Sequence, residues 1–151
     1  GHSVFATVHA NNTKETIIRL TSPPIEIPKS MIPAISLIIV QYRNRRTGMR
    51  RTFQVAEIME NGETNILMQY DANKDMLVEV NKSKAVIATL EMYTGLKKEK
   101  ILKEITEKEK VLKWIVKQDI NDVDVVGKVM AEFYTKKDKL MSLVNKGLPF
   151  R

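Results

Sequence analysis

The sequence predicts a mixed α/β half followed by a smaller helical half, and three observations carry that expectation. Short β-branched or alternating apolar stretches run to about residue 80, whereas from Lys82 onward apolar residues recur at helical spacing. Two turn signals, Asn44-Arg45-Arg46-Thr47-Gly48 and Asn61-Gly62, separate the strand-like stretches. A length of 151 residues, 43% of them apolar and 28% charged, suits one globular domain or one with a small appendage. The expected division is residues 1–80 and residues 81–151.

The elements follow in chain order. Ser3 to Val8 is short, rich in small and β-branched residues and lacks a polar face, the pattern of a central strand buried on both sides in a parallel sheet. His9-Ala10-Asn11-Asn12 then forms a loop. Asn12 and Glu15 have capping-box spacing and start a helix from Thr13 to about Leu20, which Pro23-Pro24 closes. Pro28 opens a second short helix, Lys29 to about Ile35. Leu37 to Arg43 and Met49 to Met59 predict a hairpin, with shorter strands at Asn65 to Tyr70 and Met76 to Val80.

In the second half, Val86, Ile87, Leu90 and Tyr93 share a helical face ahead of Gly95, a candidate C-terminal cap. Lys97 to Lys117 is a longer amphipathic helix with Ile101, Ile105, Leu112 and Ile115 along its inner stripe. Its outer face pairs Glu99 with Lys103 and Glu104 with Lys108 at four-residue spacing. Asn121 or Asp122 caps a third helix packing Val125, Val129, Met130 and Phe133, and a last amphipathic segment runs from Lys136 to about Val144.

Composition excludes several chemistries. Without cysteine there is no disulfide framework, thiolate zinc site or thiol nucleophile, and two histidines are too few for an all-histidine metal site. No apolar run approaches the ~18 residues of a membrane span, and no basic-then-apolar leader opens the chain, so it reads as soluble and intracellular. The formal charge is +7, and Arg43, Arg45, Arg46, Arg50 and Arg51 fall within nine residues. Such a cluster faces an anionic partner or is a solvated hairpin tip; both readings fit.

His9 is the first candidate for chemistry. It follows the expected buried strand at the end where open α/β sheets place their ligands, so its imidazole suits a phosphate oxygen or a water, or else packs on the following helix. A phosphate loop is absent: Gly127-Lys128 is followed by Val129 and lacks the earlier glycine. Nothing marks a nucleophile elbow. The last two long helices resemble a helix-turn-helix pair, but the second begins Asn121-Asp122-Val123-Asp124, which repels phosphate. Nucleic-acid binding therefore rests on the arginine hairpin alone, with only Tyr42 and Phe53 as aromatic neighbours.

Gly1-His2-Ser3-Val4-Phe5-Ala6-Thr7-Val8-His9-Ala10-Asn11 resembles the histidine box of the type II/type IV secretion ATPase superfamily. Lys14-Glu15-Thr16-Ile17-Ile18-Arg19-Leu20-Thr21-Ser22-Pro23-Pro24, then Ile27-Pro28, Met31-Ile32-Pro33-Ala34, Ile38-Ile39-Val40-Gln41 and the Arg50-Arg51 to Glu57-Ile58 strand, resembles its archaeal branch, which includes the archaellum motor ATPase. Glu109 to Trp114 and Phe133-Tyr134 are similar to the C-terminal extension of the secretion-type members.

The resemblance implies the C-terminal part of a RecA-like core with a β-meander, followed by a helical subdomain. It implies a hexameric, cytoplasmic ATPase, peripheral at the inner face of the membrane, that works with a membrane platform protein to assemble a pilus, archaellum or secretion filament. ATP and Mg2+ are its cofactors, bound mainly by a phosphate loop and acidic residues upstream of the histidine box, so this stretch alone is expected to be inactive. Position by position, His9 contacts the γ-phosphate, His2 supports the strand, and Arg19, Arg50 and Arg51 stand near the nucleotide or the subunit interface; no metal ligand and no nucleic-acid partner are implied. Ser36 departs from the aspartate of many relatives and Lys97 from their helix cap. A non-enzymatic adaptor of the same fold and a nucleic-acid binder using the arginine hairpin are the alternatives.

Overall fold

A computed structural model describes residues 4–150. The chain forms two compact units, Gly1–Tyr93 and Thr94–Arg151. In the first unit, α1 (Thr13–Thr21) and a 3-10 helix (Lys29–Ala34) precede four strands: β1 (Leu37–Arg43), β2 (Arg50–Ile58), β3 (Thr64–Asp71) and β4 (Met76–Glu79). They form one antiparallel meander in the order β1-β2-β3-β4, and α2 (Ala85–Thr94) follows. The second unit holds α3 (Lys98–Lys117), α4 (Val123–Thr135) and α5 (Lys137–Lys146).

The expected opening strand is not there. Residues 4–10 carry no regular secondary structure, and Val4 and Phe5 are 77% and 97% exposed. A β-branched run becomes a strand only where a neighbour completes its hydrogen bonds, and none of the four strands lies beside it. The only sheet among the described residues is antiparallel, so the parallel-sheet expectation is corrected as well.

Two β-bulges shape the meander. Val40 faces Gln54 but Gln41 faces Thr52, which leaves Phe53 unpaired; Val55 faces Met68 but Ala56 faces Ile66, which leaves Leu67 unpaired. One face of the sheet then buries Ile38, Val40 and Ile58 with Leu20 of α1 and Ile32 of the 3-10 helix. The 3-10 helix contains Pro33, which has no N–H to continue an α-helical ladder.

Two buried polar side chains on β2 fasten the helices to the sheet. Gln54 Oε1 accepts from the Thr13 N–H at 2.9 Å and its hydroxyl at 3.1 Å, while Gln54 Nε2 donates to Gln69 Oε1 at 2.8 Å. Glu57, with 0% of its surface exposed, accepts from Ser83 Oγ (2.7 Å), Asn65 Nδ2 (2.7 Å), Lys84 N–H (2.8 Å) and Val86 N–H (3.0 Å). It thereby caps α2 from the sheet, because those amides belong to the helix's unsatisfied N-terminal turn. The first compact unit accordingly extends past β4 and takes in α2 as far as Tyr93.

The second unit packs Val111, Trp114 and Ile115 of α3 against Val129, Phe133 and Leu140. The inner stripe of α3 is thus Ile101, Val111, Trp114 and Ile115, whereas Ile105 and Leu112 are 46% and 51% exposed. Tyr93, expected inside, is likewise exposed. Asp122 accepts from the Val125 N–H at 2.9 Å and caps α4; Lys97 offers α3 no side-chain cap. No helix of the described residues is long and apolar enough to cross a membrane.

Candidate functional site

His9 lies in the irregular segment that leads into α1, and it is exposed. Immediately after it, Asn12 accepts from the Glu15 N–H at 2.8 Å, as a helix cap should. Glu15 departs from the capping-box pattern: its carboxylate reaches back to Asn11, accepting from the backbone N–H at 2.9 Å and from Nδ2 at 2.8 Å. Its other oxygen accepts from Arg19 Nε at 2.9 Å and Nη2 at 2.7 Å. The Asn11 amide, then Arg19, hold the Glu15 carboxyl down at about 2.

This chain of bonds ties the loop after His9 to the first turns of α1. It also closes off the N-terminus of α1 as an anion site. The Thr13 amide is taken by Gln54, the Glu15 amide by Asn12, and a carboxylate already occupies the electropositive end.

Arg50 and Arg51 open β2 beside the β1–β2 turn, and they differ sharply. Arg51 forms a two-pronged pair with Asp75, Nε to Oδ1 at 2.7 Å and Nη2 to Oδ2 at 2.6 Å, and donates from Nη1 to the Arg50 carbonyl at 2.9 Å. Tyr70 donates its hydroxyl to the same Asp75 oxygen at 2.7 Å. Arg51 first, then Tyr70, lower the Asp75 carboxyl to about 2. Arg50 is exposed and has no side-chain partner among the described residues.

The predicted residues therefore do not converge into one constellation. Arg19 and Arg51 are each bound to a carboxylate, and apart from the Arg51 bond to the carbonyl of its neighbour Arg50 no hydrogen bond or ion pair joins His9, Arg19, Arg50 and Arg51 to one another. His2 lies outside the described residues. Among the described residues no group of three or more histidine and acidic side chains could hold a metal ion. An open groove of about 530 Å³, lined by Val125, Lys128, Thr135, Lys136 and Phe150, contains none of the predicted residues.

Three residues that organise this region escaped the sequence reading: Glu57, Gln54 and Asp75. Only Glu15 carried a signal, its spacing from Asn12. Burial pushes the Glu57 carboxyl up, but the Val86 and Lys84 amides, Asn65 and Ser83 outweigh it and leave it at about 2. A carboxylate this fully satisfied is a fastening and not a base poised for proton transfer.

No family model matches the chain. Three proteins of Methanocaldococcus jannaschii, each bearing the name uncharacterized protein, are similar to it. One is 32% identical over 143 residues, covering 89% of this chain and 20% of the relative. The others are 25% identical over 136 residues (85% and 50%) and 24% identical over 147 residues (90% and 27%). The chain thus spans at most about half the length of these curated relatives.

Proposed function

We propose that the chain is the C-terminal part of a secretion-type ATPase of the archaeal branch, a hexamer that couples ATP hydrolysis to filament assembly or protein secretion at the inner face of the membrane, against a platform protein. The observation that carries this reading is the histidine box, Gly1 to Asn11, followed at once by Arg19-Leu20-Thr21-Ser22-Pro23-Pro24. A β-meander followed by a helical unit accords with it, as does the archaeal source of relatives that are longer than this chain.

The side chains divide by availability. His9 and Arg50 are exposed, and neither side chain has a partner among the described residues, so they are the groups free to meet an anion. Arg19 and Arg51 are neutralised by Glu15 and Asp75, and in this reading they position backbone without touching nucleotide. The described residues by themselves do not fit an ATP–magnesium site, since they lack both a phosphate loop and an acidic cluster. Those groups belong, in this proposal, to the rest of the longer protein.

In the full-length enzyme, His9→Ala should lower ATP turnover by about 100-fold while the hexamer stays intact by size-exclusion chromatography. Turnover near the unmutated level would remove His9 from the mechanism. The 151 residues alone should hydrolyse no ATP above background, and magnesium-dependent hydrolysis by them would contradict the division of labour.

A further inference from the structure

The β1–β2 turn carries more positive charge than the fold neutralises. Arg43, Arg45, Arg46 and Arg50 are all exposed, and none of their guanidinium groups forms an ion pair or hydrogen bond with another described residue. Arg43 and Arg50 stand directly opposite each other across the strands, where like charges destabilise a sheet. Among the described residues no acidic side chain pairs with either. A locally unfavourable arrangement on a well-formed element points to a partner outside the chain.

The tip is also built to keep its shape. Asn44 Oδ1 accepts from the Arg46 and Thr47 amides at 2.9 and 3.2 Å, and backbone bonds of 2.8 Å join Asn44 to Met49 and Gly48 to Asn44. Gly48 takes the left-handed conformation (φ 73°) that the turn requires. At the same end of the sheet, the Arg51–Asp75–Tyr70 cluster braces the ribbon against the β3–β4 hairpin. Asp75 and Asp71 are the acids there, and Arg51 and Lys74 already occupy them.

We infer that this arginine tip grips the phosphate backbone of a double-stranded nucleic acid without reading its sequence. Guanidinium groups on a fixed two-stranded ribbon suit phosphate oxygens, and a ribbon of this width enters a major groove of about 12 Å. A single strand is a poorer fit, because no aromatic residue lies between Arg43 and Arg50 to stack bases, and Tyr42 beside them is a single, partly exposed ring that leans on Phe53 with centroids 6.0 Å apart. A membrane surface is a poorer fit too, since no exposed large apolar residue lies between Arg43 and Arg50 to enter the acyl layer. This surface does not depend on the ATPase reading, and its test uses neither ATP nor the longer protein.

The experiment is fluorescence anisotropy of the 151-residue chain with a labelled 20-base-pair duplex of mixed sequence, across 50–200 mM salt. Four phosphate contacts predict a slope of log K against log salt of about −3.6. Arg45→Glu with Arg46→Glu should weaken binding at least 10-fold and flatten the slope by about 2. Lys110→Glu with Lys117→Glu, an equal change of charge on α3, should weaken it less than 3-fold. Circular dichroism confirms that both variants fold. Equal losses from the two pairs overturn the assignment, as does absence of duplex binding by the unmutated chain. Preference for a single-stranded 20-mer, or for vesicles of phosphatidylglycerol and phosphatidylcholine at equal phosphate, likewise overturns it.

Discussion

The two units solve the same problem with different chemistry. The helical unit is held by hydrocarbon and aromatic packing around Val129, Phe133 and Leu140, with ion pairs such as Glu104–Lys108 (2.8 Å) confined to its surface. Even its indole follows this plan: Trp114 is buried and spends its one donor on the Leu148 carbonyl at 3.0 Å. In the first unit, packing at Ile38, Val40 and Ile58 is supplemented by buried polar groups that hold α1 and α2 at set points on β2. Packing tolerates a shift of register; a carboxylate aimed at two helix amides does not. In the first unit, buried hydrogen bonds therefore fix where α1 and α2 meet the sheet.

Substitutions should separate these two designs. The largest effect is expected from Trp114→Ala, which empties the centre of the helical unit and costs about 3–5 kcal/mol by chemical denaturation. Glu57→Ala strands part-buried donors on Ser83, Val86 and Asn65 and the more exposed one on Lys84, and should cost about 2 kcal/mol, with amide exchange accelerated first at Lys84 and Val86.

Acid should make the same distinction without a mutation. The Glu57 carboxyl is lowered from 4.5 to about 2 on folding, so its contribution is complete above about pH 4.5 and is lost as pH falls toward 2. The chain's one tryptophan, Trp114, lies in the helical unit. Its emission should hold over this interval while exchange protection at the start of α2 declines; simultaneous loss of both signals would erase the contrast. A smaller effect, about 1–2 kcal/mol, is expected for Gln54→Leu, which frees α1 from β2 but keeps the volume. Arg51→Ala removes an exposed pair and should cost under about 1 kcal/mol, leaving the meander folded.

Local pattern was legible in the sequence and long-range pairing was not. α1, the strands and α3 to α5 fall within a residue or two of their expected limits, because caps, turn residues and periodicity are local signals. Periodicity alone does not separate Ile105 and Leu112 from the true inner stripe, because α3 has apolar residues on more than one face and only the position of α4 and α5 selects Val111 and Trp114. Ser3 to Val8 has strand composition, yet composition supplies no neighbouring strand. At the candidate site, the exposure of Arg50 follows from its position in the hairpin, whereas the capture of Arg51 requires Asp75, a residue 24 positions away that β4 brings back. Glu57 is the same case: nothing near residue 57 announces that residues 83 to 86 will return to it.

The Glu57 cap also has an architectural consequence. Because it clasps the chain from the end of β2 to the start of α2, everything between, including the β3–β4 turn at Ala72 and Asn73, is an excursion whose two ends are already pinned together. Lengthening that turn leaves the clasp untouched, and doubling a flexible loop adds only about 0.6 kcal/mol of closure entropy. The turn is therefore the place where this fold can accept a graft, a tag or a whole inserted module while its helices keep their aim.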